Sequence, residues 1–262
     1  MRILSWDVGI YNLAYCLINY SIETKQCTIV DWDIVNLNSK SIENKNNILK
    51  CCWKYKKTHK TKAGQNCSAV SKHILKSTGK SYCLRHSKIA YRNLKSIFDF
   101  VKSPLSFEKS IKKVKKPKKI KLSIHELGLN MVEILDKKPN LLNVDYILIE
   151  NQPVLKNPTM KSVQMILYSY FLINSVVKAK SGATIKFISA RNKLKCYNGP
   201  PVEVKTKNKY TRTKKLAIEY CRYMIKECED RLEFFNKHKK KDDLADSYLQ
   251  ARWFIKDKYL KK

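Results

Sequence analysis

Four acidic residues of this very basic chain stand where they can act together. Asp7 and Glu150 each end a short apolar run, 2–8 and 146–150. Asp243 and Asp246 are three residues apart at the start of a helical pattern, so they share one helix face. Asp242 is four residues from Asp246 and shares a face with it equally well. Clustered carboxylates repel one another and hold their protons more tightly unless cations lie between them. Two Mg²⁺ or Mn²⁺ ions are the natural partners, because hard cations prefer oxygen ligands. Two such ions about 4 Å apart activate a water and stabilise the leaving oxygen of a phosphodiester. Taken singly, each acid has an ordinary reading: a strand stop, a rim charge, or favourable partners for the positive end of a helix dipole. Their matching positions at element ends are what join them.

The elements that must position these acids follow from the hydrophobic pattern. Residues 2–8 and 11–20 read as strands joined by a turn at Gly9, and 26–36 as a third strand. Ser123 and Glu126 form the signature of a capping box for a helix over 122–136. A buried strand ends at Glu150. Asn157 and Pro158 open a helix running to about residue 180, and 183–189 is a fifth strand. Residues 190–209 read as a basic loop, and two helices, 211–229 and 242–256, close the chain. Three antiparallel strands followed by βαβ units predict an α/β fold with a mixed five-stranded sheet flanked by helices. In such sheets, sites gather at the carboxyl ends of the parallel strands.

The chain carries 54 Lys and Arg against 22 Asp and Glu, a net charge of +32 over 262 residues. A polyanion relieves such self-repulsion, and nucleic acid is the expected one. Lys161, Arg191, Lys193, Lys195, Arg212, Lys214 and Lys215 are the candidate DNA contacts. Lys205, Lys207 and Lys209 lie among them, with Tyr197 and Tyr210 interleaved as candidates for stacking on unpaired bases. Lys240 and Lys241 precede the acidic helix. Lys241 is taken as the cation near a scissile phosphate, where it offsets developing charge.

The ordered motifs resemble RuvC-type Holliday junction resolvases of the RNase H-like superfamily. Ile3-Leu4-Ser5-Trp6-Asp7-Val8-Gly9-Ile10-Tyr11-Asn12-Leu13-Ala14 resembles their first strand and turn, and Ile149-Glu150-Asn151-Gln152 their second acidic motif. Lys240-Lys241-Asp242-Asp243-Leu244-Ala245-Asp246-Ser247 resembles the closing D-x-x-D helix and aligns Asp243, not Asp242. Ser189-Ala190-Arg191-Asn192-Lys193-Leu194-Lys195 and Arg212-Thr213-Lys214-Lys215-Leu216-Ala217 look like the branch of large cytoplasmic DNA viruses (pox-, irido- and mimivirus-like). The resemblance implies a homodimer that nicks four-way DNA junctions symmetrically. It also implies two Mg²⁺ or Mn²⁺ held by Asp7, Glu150, Asp243 and Asp246, at a viral replication site or in a virion. The helix over 157–180 is apolar on more than one face, which suits both a sheet contact and a two-fold interface.

Between the two halves lies a different stretch, so the nuclease domain is expected at 1–38 and 120–262, with a basic Cys/His insertion at 39–119. Its tail Lys112-Lys113-Val114-Lys115-Lys116-Pro117-Lys118-Lys119 reads as a linker. Cys83 and His86 are spaced as a metal-ligand pair, and upstream cysteines complete a Cys₃His set of the kind zinc prefers. Cys52, Cys67, Cys83 and His86 are taken as ligands of one structural Zn²⁺, with Cys51 competing for the place of Cys52. Gly79-Lys80-Ser81-Tyr82 reads as the hairpin of a small zinc ribbon. A core this small needs such a staple.

No signal peptide is read at the N-terminus, and the apolar stretch 163–177 is too short and too polar for a membrane span. The expectation is therefore an intracellular protein with reduced cysteines and no membrane partner. Two rival readings stay open: an RNase H-like nuclease of other specificity, and a non-catalytic DNA-binding protein on the same fold.

Overall fold

The computed structural model describes residues 1–38, 49–98, 106–114, 122–206 and 208–260. Lys115 to Lys119 of the basic linker and Lys207 of the basic loop lie outside the described residues. In chain order the strands and α-helices are β1 (Arg2–Val8), β2 (Asn12–Tyr20), β3 (Cys27–Asn36), β4 (His73–Leu75), β5 (Ser81–Tyr82), α1 (Leu84–Phe98), α2 (Phe107–Ser110) and β6 (Ile111–Lys113). They continue with α3 (Ile124–Leu135), β7 (Tyr146–Glu150), α4 (Pro158–Phe171), β8 (Thr184–Ile188), α5 (Lys209–Met224), α6 (Glu229–Lys237) and α7 (Lys241–Ile255). Two compact units result, Met1–Lys40 with Leu122–Lys262, and Ser41–Lys121. Among the described residues no helix is long and apolar enough to cross a membrane.

The larger unit is built on a five-stranded sheet of order β3-β2-β1-β7-β8. β1, β7 and β8 run parallel, while β2 and β3 form an antiparallel meander on one side. Gly9 makes the β1–β2 turn possible. Its amide donates to the Asn12 carbonyl, and a Cβ at residue 9 would lie 2.6 Å from that oxygen.

Because side chains alternate across a strand, the sheet sorts its residues onto two layers. Leu4, Trp6 and Val8 of β1, with Ile147 and Ile149 of β7, pack against α3 and α4. Ile3 of β1 and Leu148 of β7 pack on the other side, against α5, α6 and α7. The capping box at Ser123 and Glu126 opens α3, and Asn157 caps α4 with Pro158 in its first turn. α4 continues as a π-helical stretch, Leu172–Lys178.

Two local expectations need correction. The C-terminal part holds three helices, not two, because α6 forms where a basic connection was read. Phe235 of α6 is fully buried and stacks on Trp32 at 5.4 Å, enough to fold an otherwise polar segment onto the sheet. The start of the loop 190–209 is a 3₁₀ helix, Ala190–Cys196, held by the buried Cys196 and by Leu194 packing on the same core.

The smaller unit carries a three-stranded sheet of order β5-β4-β6, with α1 following β5 directly. Its hairpin runs from β4 to β5, and with α1, α2 and the third strand β6 the unit is not the zinc ribbon expected, although it carries the Cys/His cluster. Among the described residues its core holds Cys51, Cys67, Leu75, Tyr82 and Ala90, with Trp53, Tyr55, Cys83 and Ile111 packed alongside.

Candidate functional site

The pleat that buries Ile3 toward α7 points Ser5 and Asp7 the same way, and Glu150 follows Leu148 in the same sense. The parallel register pairs Trp6 with Ile149, so the next residues, Asp7 and Glu150, lie side by side. Gln152 fixes the chain beyond Glu150. Its amide donates to Gln164 Oε1 (2.8 Å) and its Nε2 to the Val8 carbonyl (3.2 Å).

α7 lies over this face. Gln250 Nε2 donates to Ser5 Oγ at 3.1 Å and to the Trp6 carbonyl at 3.3 Å, while Trp32 Nε1 donates to the Leu244 carbonyl at 3.1 Å. With the helix pinned there, Asp243 and Asp246 enter the same cleft as Asp7 and Glu150. That cleft has a volume of about 760 Å³ and is lined also by Lys193, Lys214, Lys240 and Tyr210.

The electrostatics follow from this crowding. Burial holds the Asp7 carboxyl well above the usual carboxylate range, and a hydrogen bond with Glu150 and the charges of Glu150 and Asp246 push the same way. Asp246 is pushed up to about 6, chiefly by burial, against the opposing pull of Lys193. Asp243 is raised by burial and by neighbouring Asp242.

Lys193 supplies a cation inside the cluster. Its ammonium pairs with Asp246, and both side chains are largely buried, at 12% and 14% exposure. Burial works against its charge, yet Asp246, Asp7 and Glu150 together keep its pKa above the ordinary lysine value. Spacing marked Lys193 only as one of several loop lysines. Its place among the acids is set by the 3₁₀ turn, which pattern reading missed.

Asp242 and Asp243 differ in their surroundings. Lys214 of α5 pairs with Asp242, and Asp242 is absent from the cleft lining. Lys240 faces Asp243 at 3.7 Å and lines the cleft. Lys241, the residue expected near the phosphate, instead donates to the His238 carbonyl at 2.8 Å and does not line it.

The other basic residues divide by position. Arg191 lines the cleft, while Lys195, Arg212 and Lys215 are exposed away from its lining. Lys161 donates to Asn151 Oδ1 (3.1 Å) and Gln164 Oε1 (3.3 Å), so it braces the segment after Glu150. The two loop tyrosines part company. Tyr197 lies flat on Tyr220 at 3.7 Å, whereas Tyr210 is 69% exposed on the cleft, with the Lys214 ammonium over its ring.

In the smaller unit, Cys51, Cys67, Cys83 and His86 bring their ligand atoms within 4.8 Å of one another. This cluster can hold a metal ion. It takes Cys51 where the sequence reading took Cys52. Successive residues of an extended segment point to opposite sides. Cys51 therefore turns inward, while Cys52 is exposed and meets Ser81 Oγ at 3.5 Å. The His86 ring is stacked on Trp53 at 4.9 Å, with its Nδ1 3.4 Å from the sulfurs of both Cys51 and Cys83.

Comparison with known proteins gives the following. An uncharacterized protein, L451, of Acanthamoeba polyphaga mimivirus is 31% identical over 314 aligned positions, covering 97% of this chain and 74% of the relative. Among solved structures, the yeast mitochondrial Holliday junction resolvase Ydc2 matches 97% of this chain and 78% of its own at 16% identity and a TM-score of 0.48. The fowlpox virus resolvase, solved with Holliday junction DNA, matches 98% of each chain at 14% identity and a TM-score of 0.44. RuvC of Thermus thermophilus, also solved with a Holliday junction, matches 99% of this chain and 98% of its own at 7% identity and a TM-score of 0.44. The family model described as mitochondrial resolvase Ydc2 / RNA splicing MRS1 matches residues 3–163, more than half of the chain. The chain, with its RNase H-like sheet, belongs to this family of mitochondrial resolvase Ydc2 and RNA-splicing MRS1.

Proposed function

We propose that this chain is a metal-dependent endonuclease that resolves four-way DNA junctions by paired nicks. The observation that carries the reading is the convergence of Asp7, Glu150, Asp243 and Asp246 on one cleft rimmed by lysines. The donor set fits divalent ions. It is made of hard carboxylate oxygens, and burial and mutual repulsion leave Asp7 and Asp246 short of compensating charge. The four acids would hold two Mg²⁺ or Mn²⁺, which when bound activate water and stabilise the departing oxygen. Around them Lys240 and Arg191 hold phosphate, and Gln152 and Gln250 keep the carboxylates in register.

Two further parts belong to this reading. One Zn²⁺ held by Cys51, Cys67, Cys83 and His86 staples the small unit, whose thiols and imidazole match zinc's preferred ligands. A homodimer is supported by a partly apolar groove between α3 and α4, lined by Val132, Met165, Ile166 and Ile173. A mimivirus relative supports a place of action on the DNA of a large virus. A second reading, RNA binding without cleavage, is favoured by the RNA-splicing member of the family.

One experiment separates these readings. The chain is incubated with a synthetic four-way junction, a linear duplex, an RNA–DNA hybrid and a structured RNA, with and without Mg²⁺. Symmetric paired nicks on the junction alone, dependent on Mg²⁺ and abolished by Asp7→Asn, are expected. Cleavage that survives Asp7→Asn would sink the site, and RNA bound but uncut would favour the second reading.

A further inference from the structure

The charge of this protein is unevenly placed. The unit Ser41–Lys121 holds 23 Lys and Arg against three acids, Glu43, Asp99 and Glu108. Less than a third of the chain therefore carries most of its excess charge. The four acids of the nuclease cleft all lie in the other unit, so this charge needs a separate explanation.

Its helix α1 has two distinct sides. His86, Ser87 and Ala90 are buried. His86 belongs to the Cys₃His cluster, and Ser87 Oγ meets His73 Nδ1 of β4 at 3.0 Å. Arg85, Lys88 and Arg92 stand on the opposite side, all exposed, with Leu84 and Ile89 beside them. Their spacing of i, i+3 and i+7 forms one row along the helix. At 1.5 Å of rise per residue the row is ~10 Å long, the axial rise of about three phosphates of one DNA strand. Two of the four clustered ligand residues, Cys83 and His86, sit at the start of this helix and bracket Arg85. The cluster that closes the small core thus also fixes the direction in which the row points. A solvated basic face needs no such anchoring, and among the described residues the core beside the cluster is small, so the cluster is the main hold on this helix face.

We propose that the small unit is a metal-stapled binding module for the phosphate backbone of nucleic acid, with Arg85, Lys88 and Arg92 of α1 as its contact row. Backbone contact needs only charge at the right spacing, and it positions a protein on DNA without reading sequence. The choice of DNA as the polyanion rests on the nuclease reading, which the module deepens.

The test uses the full chain carrying Asp7→Asn to prevent cleavage. Binding to a four-way junction and to a linear duplex is measured by fluorescence anisotropy between about 50 and 200 mM salt, the range over which phosphate contacts are most visible. Neutralising the row (R85Q/K88Q/R92Q) is expected to weaken both complexes and to lower the slope of log K against log salt by about 3, roughly 1 per lost contact. Zinc content and melting temperature stay at the parent values. Cys83→Ser is expected to lose the metal and the same share of the slope together. If the triple variant misfolds, Lys88→Gln alone should lower the slope by about 1. An unchanged slope in a folded, zinc-loaded variant overturns the proposal. So does a loss confined to binding of phosphatidylserine vesicles, which would mark the row as a membrane contact. Failure of the nuclease reading is seen separately, as a parent chain that leaves every DNA uncut while the slope difference persists.

Discussion

Lys193 is the residue whose role changes most between pattern and structure. In the chain it is one basic side chain among many, yet in the fold it is paired with Asp246 beside Asp7 and Glu150. A buried pair stripped of one member leaves an uncompensated charge, at a cost of about 3 kcal/mol or more. Lys193→Met should therefore lower the stability of the metal-free chain by that order, as read by urea unfolding, and added Mg²⁺ should recover part of it. Junction cleavage should fall by roughly 10²-fold, the usual scale for losing one preorganised charge. Full activity in Lys193→Met would remove this lysine from the site. The acids make a prediction of their own. A group whose pKa is higher folded than unfolded binds more protons in the native state, so its stabilising contribution fades as pH rises through the folded pKa. The contribution of Asp246, raised to about 6, should fade from about pH 4 to 6 in the metal-free chain, and Asp7, raised also, acts in the same sense. Asp246→Asn should flatten that slope. A stability difference between parent and Asp246→Asn that stays constant over this window would contradict the burial of this carboxylate.

At the scale of elements, the site is a consequence of where α7 rests. Gln250 is 2% exposed and bonds both Ser5 and the Trp6 backbone, one residue before Asp7. Gln250→Leu removes those bonds from a buried contact, and each unpaired buried polar group costs ~1–3 kcal/mol. We expect a loss of that size in thermal unfolding, with a fall in kcat larger than any change in KM, because α7 carries Asp243 and Asp246. An unaltered kcat would mean that α7 is held without it. The strands bearing Asp7 and Glu150 were legible because short apolar runs with polar ends are local signals. The same holds for the capping box at Ser123 and the Asn157-Pro158 helix start. α6 was not legible, since its placement rests on Phe235 stacking against Trp32, some 200 residues away. Spacing left Asp242 and Asp243 equal and only the resemblance favoured Asp243; the pairing of Asp242 with Lys214 and the inward turn of Cys51 rather than Cys52 are seen only in the fold. Each depends on how distant parts of the chain pack together, which spacing cannot reveal.

At the scale of the whole molecule, the proposed four-way-junction substrate has two-fold symmetry and asks for a two-fold enzyme. One face of α4 serves the sheet through Val163, Leu167 and Phe171, all fully buried. Met165, Ile173 and Val177 remain exposed on α4 and its π-helical extension, and Leu129 and Val132 are exposed on α3. These solvent-facing apolar side chains are where the proposed two-fold contact would form. The proposed occupant is a second copy, because an isologous contact would let one groove meet its own image and present two acid clefts to opposite strands. Met165 and Ile173 are suitable probes, since neither lines the acid cleft nor belongs to the Cys₃His cluster. Met165→Glu with Ile173→Lys should convert a dimer into monomers in sedimentation at micromolar concentration. The folded monomer should keep its zinc. Its nicking of a junction should become unpaired, single cuts accumulating before any second cut on the same molecule. A parent chain that sediments as a monomer with and without junction DNA would rule out the interface, as would paired nicking undiminished in the double variant.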